Sequence, residues 1–190
     1  MVLADGGTDS LMFGDEFGVV TIVEDSLSIL ASAKAGFDKA YLMVVGFGVE
    51  KFHGLDHYPC LQNIANLTKK GAYLGAFSLM PEMNEGQKYL DFLTYANNNA
   101  PKQSIVNNSI VNAMRGKFGD YHSLEHTKGS EQFINPLMPL YWHFELSAIA
   151  KEIVFADNVE IFQTLKEFYD NYQLYRRING CRQGLRELPI

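Results

Sequence analysis

The chain has 190 residues, of which 47% are hydrophobic and 20% are charged, a composition typical of one globular domain that buries a core without disulfides or a structural metal. Its net charge of −6 is spread along the chain and forms no basic stripe, so nucleic acid is not an expected partner. Apolar runs such as 40–48 are too short to span a membrane, and the lack of a signal-peptide pattern, with Cys60 far from Cys181, predicts a cytoplasmic protein with reduced thiols.

The first half of the chain alternates short apolar runs with longer periodic ones. A strand at 2–4 leads into a glycine-containing loop, and Glu24 and Asp25 then begin a helix to about residue 35. Carboxylates in a first turn suit the positive end of the helix dipole. The continuous apolar run at 41–45 is the pattern of a strand buried on both faces of a parallel sheet.

The alternation continues through the second half of the chain. The pattern predicts helices and strands at 59–70, 73–79, 84–97, 104–114 and 153–156, and a last helix that begins with the capping box of Asp157 and Glu160. The long polar segment 116–135 and the aromatic segment 136–146 lie between them. This order predicts an α/β fold with three layers, a mainly parallel sheet and helices on both faces, in a Rossmann-like arrangement.

The organisation of the chain predicts a single domain over 1–190, with a tail from about residue 178 that is mobile or lies across a neighbour. The sequence begins directly on a strand, which suggests a shortened form of a longer protein. A strand without a preceding element leaves a sheet edge or apolar surface uncovered. We therefore expect a homo-oligomer.

The main candidate site is the acidic loop 5–16, at the end of the first strand, where open α/β sheets bind their ligands. Glycines let a ligand approach the backbone, and carboxylates hold divalent metals such as Mg²⁺. The predicted metal ligands are Asp5, Asp9 and Asp15, and the other predicted ligand-binding residues of the loop are Gly6, Gly7, Thr8, Ser10 and Glu16. The alternative is an ordinary turn, since these residue types also build turns and cap backbone amides.

Histidines supply further candidates. His53 follows the second strand at the same edge as Asp5 and is the predicted acid or base, and His122 is a predicted ligand contact. The spacing of His53 with His57, and of His122 with His126, leaves zinc as an alternative. Exposed or structural histidines are the other reading.

Two more features favour packing over chemistry. Cys60 begins a helix three residues after His57, which suits a nucleophile, but a small buried thiol is the favoured interpretation. The segment 135–143 contains two prolines and three aromatic residues, which usually form a rigid wall of the core. A ligand-contacting wall or a subunit contact is the alternative.

The chain also resembles a mostly archaeal family of uncharacterised proteins, classed as a domain of unknown function. The matching segments are 5–12, 14–16, 46–49, 52–54, 63–65, 71–75, 77–79, 104–107, 119–122 and 134–138. They follow one another in order and cover most of the chain to about Trp142. Members of that family begin with a glycine-rich Rossmann-like half, so the resemblance implies that this chain corresponds to their second half. It implies a fold and no activity.

These observations favour a small-molecule enzyme, a metal-assisted hydrolase or transferase acting on a phosphorylated or nucleotide-like substrate. His53 and Asp9 are the predicted catalytic residues, with a divalent metal such as Mg²⁺ as cofactor. The ligand edge is predicted to combine 5–16, 46–57 and 119–126. The alternative is a non-catalytic module that binds a ligand or forms an oligomer.

Overall fold

The computed structural model describes residues 1–18, 22–50, 57–156 and 159–182. The helices and strands in these ranges are β1 (Val2–Gly6), α1 (Ile22–Lys34), β2 (Tyr41–Val45), α2 (His57–Lys69), β3 (Tyr73–Ser78), α3 (Asn84–Asn99), α4 (Ile105–Met114), β4 (Gly119–Asp120), β5 (Phe133–Ile134), β6 (Leu140–Glu145), α5 (Leu146–Ala150) and α6 (Leu165–Asn179). Short 3₁₀ helices occur at Asp9–Leu11, Glu125–Thr127 and Val159–Ile161. None of the helices in the described ranges is long and apolar enough to cross a membrane.

The main sheet has four strands in the order β1-β2-β6-β3. β1 and β2 are parallel, and β6 runs antiparallel to both β2 and β3. The α/β class is therefore confirmed, while the prediction of a mainly parallel, Rossmann-like sheet is wrong. The physical reason is the late aromatic strand β6, which inserts between β2 and β3 and separates two strands that sequence order would have paired.

One hydrophobic cluster joins the main sheet to four helices. Leu42, Val44, Trp142 and Phe144 lie on one face of the sheet and are buried. The residues that the helices add to this cluster include Ile29 and Leu30 of α1, Ile64 and Leu67 of α2, Leu146 and Ile149 of α5, and Phe168 and Tyr172 of α6. The cluster holds α1 against β1 and β2, which fixes one wall of the site described below.

A second hydrophobic cluster involves the neighbouring residues of the same strands. Val45 and Tyr141 belong to it, although Val44 and Trp142 belong to the first cluster. Adjacent strand residues point to opposite faces of a sheet, so the two clusters lie on opposite sides of it. Helices α3 and α4 supply the second cluster with buried side chains, among them Leu93, Ile110 and Met114.

The polar segment 116–135 is partly ordered by a small antiparallel ribbon. β4 and β5 pair through Gly119 with Ile134 and Asp120 with Phe133. Buried Ile134 joins the second hydrophobic cluster, which attaches the ribbon to α4. The polar segment therefore lies outside the main sheet but is attached to the core through this ribbon.

The end of the chain differs from its predicted pattern. Residues 153–156 form no strand, and the capping residue Asp157 lies outside the described residues. Helix α6 begins later, at Leu165, where the Thr164 hydroxyl accepts a hydrogen bond of 3.2 Å from the backbone N–H of Glu167. The Glu167 carboxylate in turn accepts one from the N–H of Gln163. This arrangement is a variant of the predicted capping box, placed seven residues further along, in which the glutamate bonds the residue before the N-cap.

Candidate acidic ligand site

The two parallel strands bring distant parts of the sequence to one edge of the sheet. Asp5 pairs with Val44, and Gly6 pairs with Val45, so β1 and β2 end side by side. The chain then continues after β1 into the 3₁₀ helix Asp9–Leu11 and after β2 towards Glu50. The predicted junction of residues 5–16 with the segment after β2 is present in the part of the chain that the structure describes.

Three carboxylates meet at this edge. Asp5 comes from β1, Asp9 from the following 3₁₀ helix and Asp25 from the first turns of α1. One oxygen from each lies within 4.8 Å of the others, and all three residues are half-buried. Among the described residues, this is the group of three potential metal ligands that the fold assembles.

Glu50 adds a fourth carboxylate next to this group. Its Oε1 accepts a hydrogen bond of 3.0 Å from the Thr8 backbone N–H, and its Oε2 lies 3.5 Å from the Thr8 hydroxyl. Burial raises the pKa of Glu50 to about 8, and the negative charges of Asp9 and Asp5 contribute to the increase. Glu50 therefore changes its charge near neutral pH, a property that suits a general acid or base.

Asp5 and Ser10 have polar atoms that the described protein does not satisfy. Burial raises the pKa of Asp5, and the charge of Asp9 raises it further, while the nearby Ser10 hydroxyl lowers it. Asp5 Oδ2 is buried without a hydrogen-bond partner, and so is Ser10 Oγ, whose residue is only 2% exposed. The Ser10 hydroxyl thus faces Asp5 without forming a hydrogen bond of ordinary geometry. Burying polar atoms without hydrogen-bond partners destabilises the folded state unless a ligand or a water molecule supplies the missing partner.

The glycines of the loop allow these groups to approach one another. A Cβ atom at position 7 would collide with Glu50 Oε1 and would lie 3.0 Å from Asp9 Oδ1. Gly6 is less constrained, because an added Cβ would meet Val106 at an ordinary distance of 3.4 Å. A side chain at position 7 would therefore displace the Glu50 carboxylate from its place beside Asp9.

A cavity of about 150 Å³ opens beside the carboxylates, between the sheet and α1. Its apolar side consists of Leu3, Ala4, Ile29 and Leu42. Its polar side consists of Asp5, Ser10, Glu24, Asp25 and Ser28. We call Asp5, Asp9 and Asp25 with this cavity the acidic pocket.

The last two acidic residues of the loop lie in a different environment, which we call the Glu16 cluster: Glu16, Asn63 and Arg182. Glu16 is fully buried, and its oxygens accept hydrogen bonds from the backbone N–H groups of Phe13 and Gly14. They also accept bonds of 2.7 Å from Asn63 Nδ2 and 2.8 Å from Arg182 Nη2.

The predicted metal ligand Asp15 also lies beside Arg182. Its Oδ1 is 3.2 Å from Arg182 Nη2, so the two form an ion pair. Burial and the charge of Glu16 raise the pKa of Asp15, and the Arg182 charge lowers it. Asp15 does not belong to the group that Asp5 and Asp9 form with Asp25. The predicted loop therefore divides into two sites.

The predicted histidines are not part of the described acidic pocket. His53 lies outside the described residues. His122 lies 2.9 Å from Asp120 Oδ1 and 3.0 Å from Thr127 Oγ1, beside the small ribbon. His57 begins α2, with its ring centroid 4.9 Å from that of Phe47. Within the described ranges, the histidines form no group of three potential zinc ligands.

Cys60 and the aromatic segment 135–143 occupy packing positions. The Cys60 side chain is 1% exposed, and burial raises the pKa of its thiol to about 12, so a reactive thiolate is disfavoured. Trp142 stacks on Phe47 with ring centroids 5.7 Å apart. Asn135 donates a hydrogen bond of 3.0 Å to the Phe47 carbonyl. Both features support the core.

Sequence reasoning missed two residues of the site, Asp25 and Glu50. Asp25 had a sufficient local explanation at a helix start, and Glu50 lay in the predicted segment 46–57 without a motif of its own. The signal that could have found Glu50 is its position five residues after the end of β2, at the edge that Asp5 shares.

Comparisons with protein-family models, with curated proteins and with solved structures find no match to this chain. The resemblance to a mostly archaeal family of uncharacterised proteins therefore stays a prediction.

Proposed function

We propose that the acidic pocket binds a divalent cation such as Mg²⁺ and that the chain is a metal-assisted hydrolase or transferase acting on a small molecule. The observation that carries the proposal is the meeting of Asp5, Asp9 and Asp25 within 4.8 Å beside a cavity. Oxygens on opposite sides of a bound ion are separated by about 4.2 Å for Mg²⁺ and about 4.8 Å for Ca²⁺. The spacing of the carboxylates fits such an ion.

A second observation at the same place also supports a ligand. The Ser10 hydroxyl is almost fully buried, faces Asp5 and has no hydrogen-bond partner among the described residues. Asp5 Oδ2 is in the same condition. A cation or its bound water would satisfy both atoms, because a hydroxyl oxygen and a carboxylate oxygen each accept such contacts.

In this proposal Glu50 is the group that moves a proton. A bound divalent cation polarises an oxygen and lowers the pKa of a coordinated water molecule. Glu50 lies beside Asp9 and is held by Thr8, and its pKa without a cation is about 8. The positive charge of a bound cation would lower that pKa, so the ionised Glu50 carboxylate could accept a proton from the water near neutral pH. His53 stays a predicted second acid or base. The phosphorylated or nucleotide-like substrate also stays a prediction. The residues that line the pocket include no basic side chain that would bind a phosphate group.

The test compares three proteins in thermal melts with and without Mg²⁺ or Mn²⁺: the parent, Asp9→Asn and Asp38→Asn. Asp38 is exposed in the loop after α1 and serves as a matched loss of charge. We expect metal to stabilise the parent and Asp38→Asn, and to stabilise Asp9→Asn much less, because charged hydrogen bonds and metal ligands depend on the carboxylate. Equal metal responses in all three proteins would contradict the proposal.

The predicted homo-oligomer is a further part of the proposal. β3 is an edge strand of the main sheet, and its Leu74 and Phe77 are 52% and 44% exposed. Exposed apolar side chains on an edge strand favour pairing with another copy. Light scattering at tens of micromolar, roughly the range in which exposed edges associate, tests the assembly, and a monomer would contradict it.

The predicted helical layers on both faces of the sheet are also part of the proposal. The two hydrophobic clusters, which lie on opposite sides of the sheet, support it.

A further inference from the structure

The acidic pocket has two chemically different sides, and this contrast limits what can bind in it. One side is hydrocarbon, from Leu3, Ala4, Ile29 and Leu42. The other side has the carboxyl groups of Asp5, Glu24 and Asp25 with the Ser10 hydroxyl. The Ser28 hydroxyl at this side already donates a hydrogen bond of 2.9 Å to the Glu24 carbonyl. A ligand that fills the cavity must therefore be apolar at one end and complementary to carboxylates at the other.

The size of the cavity sets an upper limit for the enclosed part of a ligand. An apolar cavity of about 150 Å³ holds one benzene molecule, which has six heavy atoms. The pocket is of the same volume, about 150 Å³. It therefore encloses a fragment of about six heavy atoms, which is too small for a nucleotide.

The charges of the described lining residues disfavour an anionic fragment inside the cavity. Three of the nine lining residues carry carboxyl groups, and none of the nine is lysine, arginine or histidine. A phosphate or carboxylate group inside the cavity would meet like charges at short range, and juxtaposed like charges are unfavourable. One divalent cation would not reverse the sign, because its own ligands Asp5, Asp9 and Asp25 carry more negative charge than it supplies.

The hydrocarbon side excludes a ligand that is polar throughout. A small polyol in the cavity would turn some of its hydroxyl groups towards Leu3, Ile29 and Leu42, which offer no side-chain hydrogen-bond acceptors. Burying a hydroxyl group without a partner is unfavourable. A short aliphatic chain on this side has no such cost.

We propose that the acidic pocket takes a small aliphatic ammonium compound as the organic ligand that binds beside the cation. The ammonium group donates to the carboxylates of Glu24 and Asp5, and the aliphatic chain packs against Leu3, Ile29 and Leu42. An ammonium group has three donors and no acceptor, which matches a surface of carboxylate oxygens. This inference rests on the proposed cation site, because it assigns the substrate class of the same pocket.

The experiment measures binding of three probes of similar size, n-pentylamine, 1-pentanol and pentanoate, by calorimetry with the parent protein in Mg²⁺. We expect the amine to bind at least about tenfold more tightly than the alcohol, the effect of one charge-assisted hydrogen bond. Pentanoate should bind most weakly. Tighter binding of pentanoate than of the amine, or equal binding of amine and alcohol, would overturn the inference.

Two variants locate the ammonium group. Glu24→Gln should reduce the preference for the amine over the alcohol about threefold, because Glu24 is exposed and exposed ion pairs are weak. Glu82→Gln, which removes an exposed carboxylate before α3, should leave the preference unchanged. Mn²⁺ binding, followed by electron paramagnetic resonance, is measured separately in all proteins. Mn²⁺ binding without an amine preference overturns this inference and retains the proposed cation site. An amine preference that depends on Glu24, in a protein that binds no Mn²⁺, supports the ammonium site and overturns the metal-assisted function.

Discussion

The acidic pocket and the Glu16 cluster both contain carboxylates from residues 5–16, yet these carboxylates differ in how completely their oxygens are hydrogen-bonded. Both Glu16 oxygens accept hydrogen bonds, from two backbone N–H groups, Asn63 and Arg182. In the acidic pocket, Asp5 Oδ2 is buried without a hydrogen-bond partner among the described residues, and Glu50 has a pKa of about 8. In the Glu16 cluster both carboxylate oxygens are paired, although Arg182 Nε is buried without a hydrogen-bond partner among the described residues. Paired carboxylate oxygens indicate a structural role, whereas unpaired carboxylate and hydroxyl oxygens beside a cavity indicate a place for a ligand.

The difference also explains why one short loop can serve both roles. The Glu16 cluster connects residues 13–16 to α2 through Asn63 and to the segment after α6 through Arg182. These contacts hold the end of the loop, while its beginning, with Asp5 and Asp9, lies at the open edge beside α1. We interpret the Glu16 cluster as the support of the acidic pocket.

The largest effect should come from breaking the Glu16 cluster. Arg182→Met leaves Glu16 buried without its cationic partner, and removing one member of a buried ion pair costs about 3–5 kcal/mol. We expect a loss of that size in the free energy of unfolding, measured by urea denaturation. Arg177→Met, which changes an exposed arginine of α6, is the matched control. A loss below about 1 kcal/mol, the value typical of surface ion pairs, would contradict the structural role.

Asp5→Asn should have opposite effects on folding and on metal binding. Burial and the charge of Asp9 raise the pKa of Asp5, so replacing its carboxylate with a neutral amide stabilises the metal-free protein at pH 8. The same change removes a metal ligand and should weaken Mn²⁺ binding by about tenfold or more. Thermal melts and Mn²⁺ titration measure the two effects. A variant that is less stable without metal and binds Mn²⁺ normally would show that Asp5 has a structural role and is not a metal ligand.

Glu50→Gln should have an effect that depends on pH. The ordinary pKa of Glu50 is 4.5 and the folded value is about 8, so between these values the folded state holds a proton that the unfolded state has lost. The free energy of unfolding of the parent protein therefore falls as pH rises through this range, while glutamine lacks this contribution.

The advantage of Glu50→Gln over the parent should be small at pH 5, grow to about pH 8 and remain constant above it. Urea denaturation at several pH values measures this difference, with Glu82→Gln as the control. A difference that does not change with pH would show that burial does not control the charge of Glu50.

The smallest effect is expected for Asp15→Asn. Asp15 is paired with Arg182 at 3.2 Å, but its side chain is 29% exposed, and exposed or partly exposed ion pairs contribute about 0–1 kcal/mol. We expect little change in the free energy of unfolding and no change in Mn²⁺ affinity. A tenfold loss of Mn²⁺ affinity would instead support the sequence-based prediction that Asp15 is a metal ligand.

Much of the site's location was predictable because it depends on local patterns. Strand ends followed by glycine and aspartate indicated residues 5–16, and the parallel pairing of β1 with β2 places the segment after β2 beside them. The roles within the loop were not predictable. Arg182 lies 166 residues from Glu16, and no local pattern relates the two. Asp25 was already explained as an acidic residue in the first turn of a helix, so nothing in the sequence indicated that it also lies beside Asp5 and Asp9.

The direction of the strands was less predictable than their existence. The apolar run of β2 correctly indicated a buried strand, but burial on both faces is independent of whether a neighbour is parallel or antiparallel. β6 lies between β2 and β3 although it follows them by more than sixty residues. Its aromatic residues, including Trp142 and Phe144, also suit a packed wall of the core. Long-range pairing therefore decided the topology.

A crystal of the protein soaked in Mn²⁺ tests the central claim most directly, because the anomalous signal locates the ion. If the acidic pocket binds a divalent cation, a peak should lie within about 2.0–2.3 Å of oxygens from Asp5, Asp9 and Asp25, close to the range for hard divalent cations, with no peak at Asp15 or Glu16. An acidic pocket without a peak at saturating Mn²⁺, or a peak coordinated by Asp15 and Glu16 instead, would show that the acidic pocket is not a cation site.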